Sequence, residues 1–173
     1  MIVKTKSGEI EGIKEDLYYS FKGIPYAESP TGENRWLAPK PVKPWSDVKS
    51  CKEFGSICPQ NELVYEQEAT SDYETGSNQT EDCLSLNIWT SDLNSKKPVL
   101  VWIHGGAYFL GSGADCLSDS EDICREGKYV VVSMNYRLAC FGFLRRFFHH
   151  GWESWSCLLY TSPSQRDRLS SRM

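Results

Sequence analysis

The sequence predicts an α/β fold, and three features carry that prediction. Two continuous apolar runs, VLVWI from Val99 and YVVVSM from Tyr129, have the composition of strands buried on both faces. Between them SEDICREGK, residues 120–128, has the make-up of a crossover helix. Strand, helix and strand form a βαβ unit, which implies a parallel, right-handed connection. Ahead of both, IVKTK and EIEGIK flank Ser7-Gly8, the pattern of a β-hairpin with a short turn.

The remaining elements follow in chain order. LYYSFKGI, from Leu17, reads as a strand stopped by Pro25. From Pro30 to Trp45 proline, glycine and scattered aromatics predict irregular structure pinned by aromatic packing. Residues 61–82 hold seven acids and no Lys or Arg, which predicts a solvated surface loop. LSLNIWT, Leu84 to Thr90, alternates as a strand does.

Composition narrows the function classes. The 173 residues are 40% hydrophobic, a globular and not a disordered composition. A net charge of −4 argues against nucleic acid or an anionic membrane as partner. Met1 leads into alternating IVKTK with no export signal and no membrane-length apolar stretch, so a cytoplasmic protein is expected. The seven cysteines include no CxxC pair and no His/Cys cluster at zinc spacing, so no metal or other cofactor is expected.

His104-Gly105-Gly106-Ala107 directly follows the first apolar strand. Two glycines there bring bare backbone N–H groups to a concave site with no side chain in the way. Such groups can hold the oxyanion of a tetrahedral intermediate in acyl transfer.

FKGIPYAESP, EDCLSLNIW, VLVWIHGGAYFLGSG and NYRLACFGFL occur in that order. Together they resemble the N-terminal part of type-B carboxylesterases, the family that includes cholinesterases. The resemblance runs from about Met1 to Leu144, roughly the first third of a full member. It implies an incomplete α/β-hydrolase, with the N-terminal part of the mixed central sheet and the hairpin before it. It implies an oxyanion hole made by the N–H groups of Gly105, Gly106 and Ala107, with Ala107 standing where many members have a third glycine. His104 would support that loop and not act as base. Arg35 and Glu81 match a structural ion pair. Cys58 and Cys83 match a disulfide closing the acidic loop, and without an export signal the same pair is equally expected as two thiols. Asn78-Gln79-Thr80 is a glycosylation sequon of use only in a secretory setting. Residues 59–82 lack the tryptophan with which cholinesterases hold a quaternary ammonium, so no preference for choline esters is implied.

Hydrolysis by this route needs Ser, His and an acid in hydrogen-bond reach of one another. The chain has no G-x-S-x-G elbow, and its only histidines are His104, His149 and His150. The expectation is a serine-esterase fragment that carries the oxyanion loop but is inactive alone. Its parent would act on small carboxylic esters, and a non-catalytic, adhesion-type binding domain is the alternative. Residues 1–144 carry a net −7 and residues 145–173 a net +3, with no lysine after Lys128. Family character stops at Leu144. Cys157 to Ser162, CLLYTS, matches one translated frame of a common transposon-end sequencing adapter. Residues from about 157 are therefore expected to be translated adapter and 145–156 frame-shifted or chimeric, with the tail disordered; a genuine basic, Ser-rich extension is the alternative.

Overall fold

The computed structural model describes residues 1–60, 78–115 and 117–144. Most of the predicted acidic loop, Cys116 and the whole tail, with His149 and His150, lie outside the described residues.

The hairpin forms as the alternation requires. Strand β1 (Ile2–Lys4) pairs antiparallel with β2 (Glu9–Glu11), and Val3 faces Ile10 across the ladder. Thr5 closes the turn by donating its hydroxyl to the Gly8 carbonyl at 2.7 Å. Ile10 carries this small sheet onto the core, and β5 (Lys49–Ser50) adds to it in parallel.

The second sheet positions the site. Its strands β3 (Ile13–Lys14), β4 (Tyr19–Pro25), β6 (Ser85–Thr90), β7 (Val99–Ile103) and β8 (Val130–Met134) lie in the order β3-β4-β6-β8-β7. Only β7 and β8 run parallel, from Val99 opposite Val130 to Ile103 opposite Met134. Helix α1 (Leu117–Arg125) makes the predicted crossover and begins before the Ser120 at which the sequence pattern starts. It turns Cys124 into a cluster with Tyr18, Trp89 and Val131. On the other face Leu86 and Ile88 of β6 join Ile10, Phe21, Ile24 and Cys51. Between Pro30 and Trp45 the chain is irregular apart from one 3₁₀ turn at Gly32–Asn34. Two indoles pin it, Trp36 to the Cys140 carbonyl and Trp45 to the Glu9 carbonyl, each at 2.9 Å.

One expectation needs correcting. The run VLVWI reads as buried on both faces, yet Val99, Val101 and Ile103 are 61%, 56% and 56% exposed. Among the described residues β7 has β8 on one edge and no strand on the other. A sheet-centre composition therefore sits at an edge, with apolar faces that no described element covers.

One fully buried pair across the sheet is polar. Asn87 on β6 and Ser133 on β8 are opposite one another, 2% and 0% exposed. Asn87 Nδ2 donates to Ser133 Oγ (3.0 Å), which donates to the Gly113 carbonyl (2.6 Å). Asn87 Oδ1 accepts the Gly23 N–H (2.9 Å). Just past β8, Asn135 Oδ1 accepts the Gly113 N–H (2.7 Å), and its Nδ2 donates to the Ser56 carbonyl (3.1 Å). Gly113 is thus held at both backbone groups. It lies so close to β8 that a Cβ would stand 3.0–3.2 Å from Met134 backbone atoms. Replacing Asn135 by Ala removes its hydrogen bonds to the buried Gly113 N–H and the part-buried Ser56 carbonyl and should cost about 2–6 kcal/mol, at roughly 1–3 kcal/mol for each. Urea denaturation of the 173-residue chain measures this, and an unchanged midpoint would contradict the anchor role.

Candidate active site

The loop between β7 and α1 begins with His104, the first residue after the strand and almost fully buried (4% exposed). Its imidazole stacks on Tyr136, with ring centroids 4.2 Å apart and planes 14° from parallel. Its Nδ1 lies 2.7 Å from the Gly105 carbonyl. A carbonyl only accepts, so Nδ1 carries the proton. Burial pushes the His104 pKa below its ordinary 6.5, against the weaker opposing pull of the Gly105 carbonyl and Asp115. The ring is therefore a neutral donor committed to its own loop, as loop support requires.

Three successive carbonyls in this loop are occupied. The His104 carbonyl accepts the Tyr136 hydroxyl at 2.8 Å. The Gly105 carbonyl accepts His104 Nδ1, and the Gly106 carbonyl accepts the N–H groups of Phe109 (2.9 Å) and Leu110 (3.1 Å). A trans peptide is planar with C=O and N–H opposed. Fixing those carbonyls turns the N–H groups of Gly105, Gly106 and Ala107 the other way. Among the described residues these three N–H groups have no hydrogen-bond partner. Gly105 and Ala107 are exposed, and Gly106 is half-buried.

The local sequence allows this path at a conformational cost. Gly106 has φ +106°, and a Cβ there would collide with the Leu110 carbonyl, so glycine is required. Ala107 (φ +52°) and Tyr108 (φ +67°) also occupy the left-handed region, where each side chain costs about 1 kcal/mol or more. Neighbouring segments hold that strain. The Ala139 N–H, at the start of α2 (Ala139–Phe143), donates to the Tyr108 carbonyl at 2.8 Å, and the Tyr108 ring packs on Phe143 at 4.7 Å.

The other residues singled out from sequence form two pairs. Arg35 Nε and Nη2 donate to the two Glu81 carboxylate oxygens at 2.5 and 2.6 Å, a two-pronged, partly exposed pair. Cys58 and Cys83 lie together in the core as free thiols, with no bridge between them. The two neighbouring thiols perturb each other, which raises the Cys83 pKa and lowers that of Cys58. Leu138 N–H also donates to Cys58 Sγ, at 3.1 Å. Among the described residues no group of three His, Cys, Asp or Glu side chains is placed to hold a metal. Sequence reasoning missed Tyr136 and Asn135, which hold the loop at the His104 carbonyl and the Gly113 N–H. The one available signal was the close spacing of Gly111 and Gly113 behind the double glycine.

The buried neutral His104 gives stability a defined pH dependence. The unfolded chain protonates this ring below about pH 6.5 while the native state resists. Its contribution is therefore fully present above that value and is lost as pH falls through the lowered native pKa. Urea midpoints between pH 7.5 and 5.5 should show that decline, and His104→Gln should flatten it. An identical slope in the variant would contradict the assignment.

Residues 1–150 match the carboxylesterase family. The para-nitrobenzyl esterase of Bacillus subtilis (strain 168) is 43% identical over 145 residues, which is 83% of this chain and 29% of that protein. The phenmedipham hydrolase of Pseudarthrobacter oxydans is 40% identical over 146 residues, with the same coverage. Of the solved structures, a PNB esterase superposes with a TM-score of 0.74 at 40% identity, over 84% of this chain and 29% of its own. The Geobacillus stearothermophilus carboxylesterase EST55 gives 0.71 at 38% identity, over 83% and 28%. The chain thus spans about 29% of the length of the curated relatives it matches. It belongs to the carboxylesterase family, and its sheets are part of that family's α/β-hydrolase fold.

Proposed function

We propose that this chain supplies the oxyanion-holding part of a serine carboxylesterase acting on small-molecule carboxylic esters. The observation that carries the reading is the row of unpartnered N–H groups at Gly105, Gly106 and Ala107, each turned outward by an occupied carbonyl. Gly106 and Ala107 are the principal donors. In the tetrahedral intermediate the former carbonyl oxygen bears a full charge, and donors already fixed toward it lower the barrier without reorganisation. The serine that attacks, the histidine that moves its proton and the supporting acid belong to the part of the family fold that this chain does not span.

Alone, the chain generates no nucleophile. It contains no G-x-S-x-G elbow. His104, the one histidine among the described residues, is buried and engaged with Gly105. A purely binding role would leave the strained, outward-facing amides without a use, so the catalytic reading is the better supported.

Two assays with p-nitrophenyl acetate test this. The 173-residue chain should hydrolyse it no faster than buffer. The reading frame continued from Leu144 into a serine elbow should turn it over, and Gly106→Val in that protein should lower kcat by about 10²–10³-fold with little change in KM. Turnover by the 173-residue chain that is lost on Gly106→Val would overturn the proposal. So would an intact esterase indifferent to that substitution.

A further inference from the structure

Gln60 lies outside the machinery described so far, yet its side chain reaches the loop directly. Its Oε1 accepts the Gly111 N–H at 2.7 Å, and its Nε2 donates to the Gly111 carbonyl at 3.1 Å. The second Nε2 hydrogen goes to the Cys58 carbonyl, also at 3.1 Å. A primary amide can donate and accept at once, so it pairs with both backbone groups of Gly111 as a neighbouring strand would. Gln60 is itself fixed, since its N–H donates to Gln79 Oε1 at 2.8 Å. Residues 57–60 and 78–80 are joined there through the Ile57–Gln79 bridge.

Gly111 is the point at which this pairing can act on the amides. It has φ +104°, and a Cβ there would run into His104 Nδ1 and lie 2.8 Å from the Gly105 carbonyl. It is therefore seated against the hydrogen bond that turns the Gly106 N–H outward. Its neighbour Leu110 donates to the Gly106 carbonyl, which turns the Ala107 N–H. We propose that Gln60 is a positioning residue for the oxyanion loop, setting the Gly106 and Ala107 amides through Gly111. This inference rests on the oxyanion reading above.

The test is ¹⁵N–¹H correlation spectroscopy of the 173-residue chain, as wild type, Gln60→Glu and Gln60→Ala, over a pH series. The carboxyl introduced by Gln60→Glu can donate and accept while protonated, as glutamine does, whereas its ionised form only accepts. In Gln60→Glu the Gly106, Ala107 and Gly111 signals should sit near their wild-type positions at low pH. They should move together as the introduced carboxyl ionises. In Gln60→Ala they should be displaced throughout. The wild-type series removes the contribution of His104, packed against Gly111, of Asp115, which accepts the adjoining Ser112 N–H, and of Cys58, Cys83 and Glu81 nearby. Gly106 and Ala107 signals that stay at wild-type positions in both variants would overturn the proposal. A measurement that needs no variant stands beside it, because the wild-type Gly111 N–H should exchange slowly with solvent. Fast exchange there would also overturn the proposal. These signals report loop geometry without turnover, so amides that stay unmoved refute only the Gln60 role, while an intact esterase indifferent to Gly106→Val refutes only the oxyanion reading.

Discussion

A trans peptide cannot turn its carbonyl and its N–H to the same side. The loop after β7 is organised around that constraint. By occupying the carbonyls of His104, Gly105 and Gly106 with a tyrosine hydroxyl, an imidazole N–H and two backbone amides, the fold leaves the opposite face of the same three peptides as bare donors. No side chain has to reach the anion. The supporting groups are neutral as well: burial keeps His104 unprotonated at neutral pH and holds the Tyr136 phenol protonated. A charged supporting group would have altered the field at the site, while these fix geometry alone.

Holding a strained loop requires rigid neighbours, which explains the buried polar pair Asn87–Ser133 where β6 and β8 meet. Asn87, Ser133 and Asn135 could have been aliphatic as far as burial is concerned. Aliphatic residues would not have specified where Gly113 sits, whereas a satisfied hydrogen-bond network fixes one arrangement. From Gly113 the constraint passes back along the chain to Gly111, Leu110 and Gly106. The exposed apolar strand β7 is the counterpart. The sheet is firm on the β8 side and open on the other among the described residues. Its uncovered valines are what a chain spanning 29% of its relatives' length should present.

Much of the fold was legible because its signals are local. The hairpin around Ser7-Gly8, the alternating β6 and the helix-linked parallel pair follow from periodicity and turn chemistry, and each is present. The exposure of β7 was not legible, since apolar composition reports what a strand is built for and not what covers it. The double glycine pointed to bare amides, but nothing in the sequence said which carbonyls would be occupied. That depends on contacts between distant positions: Tyr136 with His104, Gln60 with Gly111, Asn135 with Gly113. Side-chain amides and hydroxyls are common in any sequence, and their partners emerge only from the folded path. The thiols of Cys58 and Cys83 illustrate the same boundary. The resemblance brought the two together, and the structure has them buried in one cluster as free thiols, without a bridge.

Free amides at Gly106 and Ala107 are the condition on which anion binding by this loop depends. Residue-resolved hydrogen–deuterium exchange on the wild-type 173-residue chain measures that directly, with the Gly113 N–H, bonded to Asn135 at 2.7 Å, as internal reference. Exchange at Gly106 and Ala107 should be close to the unprotected rate while Gly113 remains slow. Protection at Gly106 and Ala107 equal to that of Gly113 would mean that their hydrogen bonds are already made within the chain, and would contradict the oxyanion role.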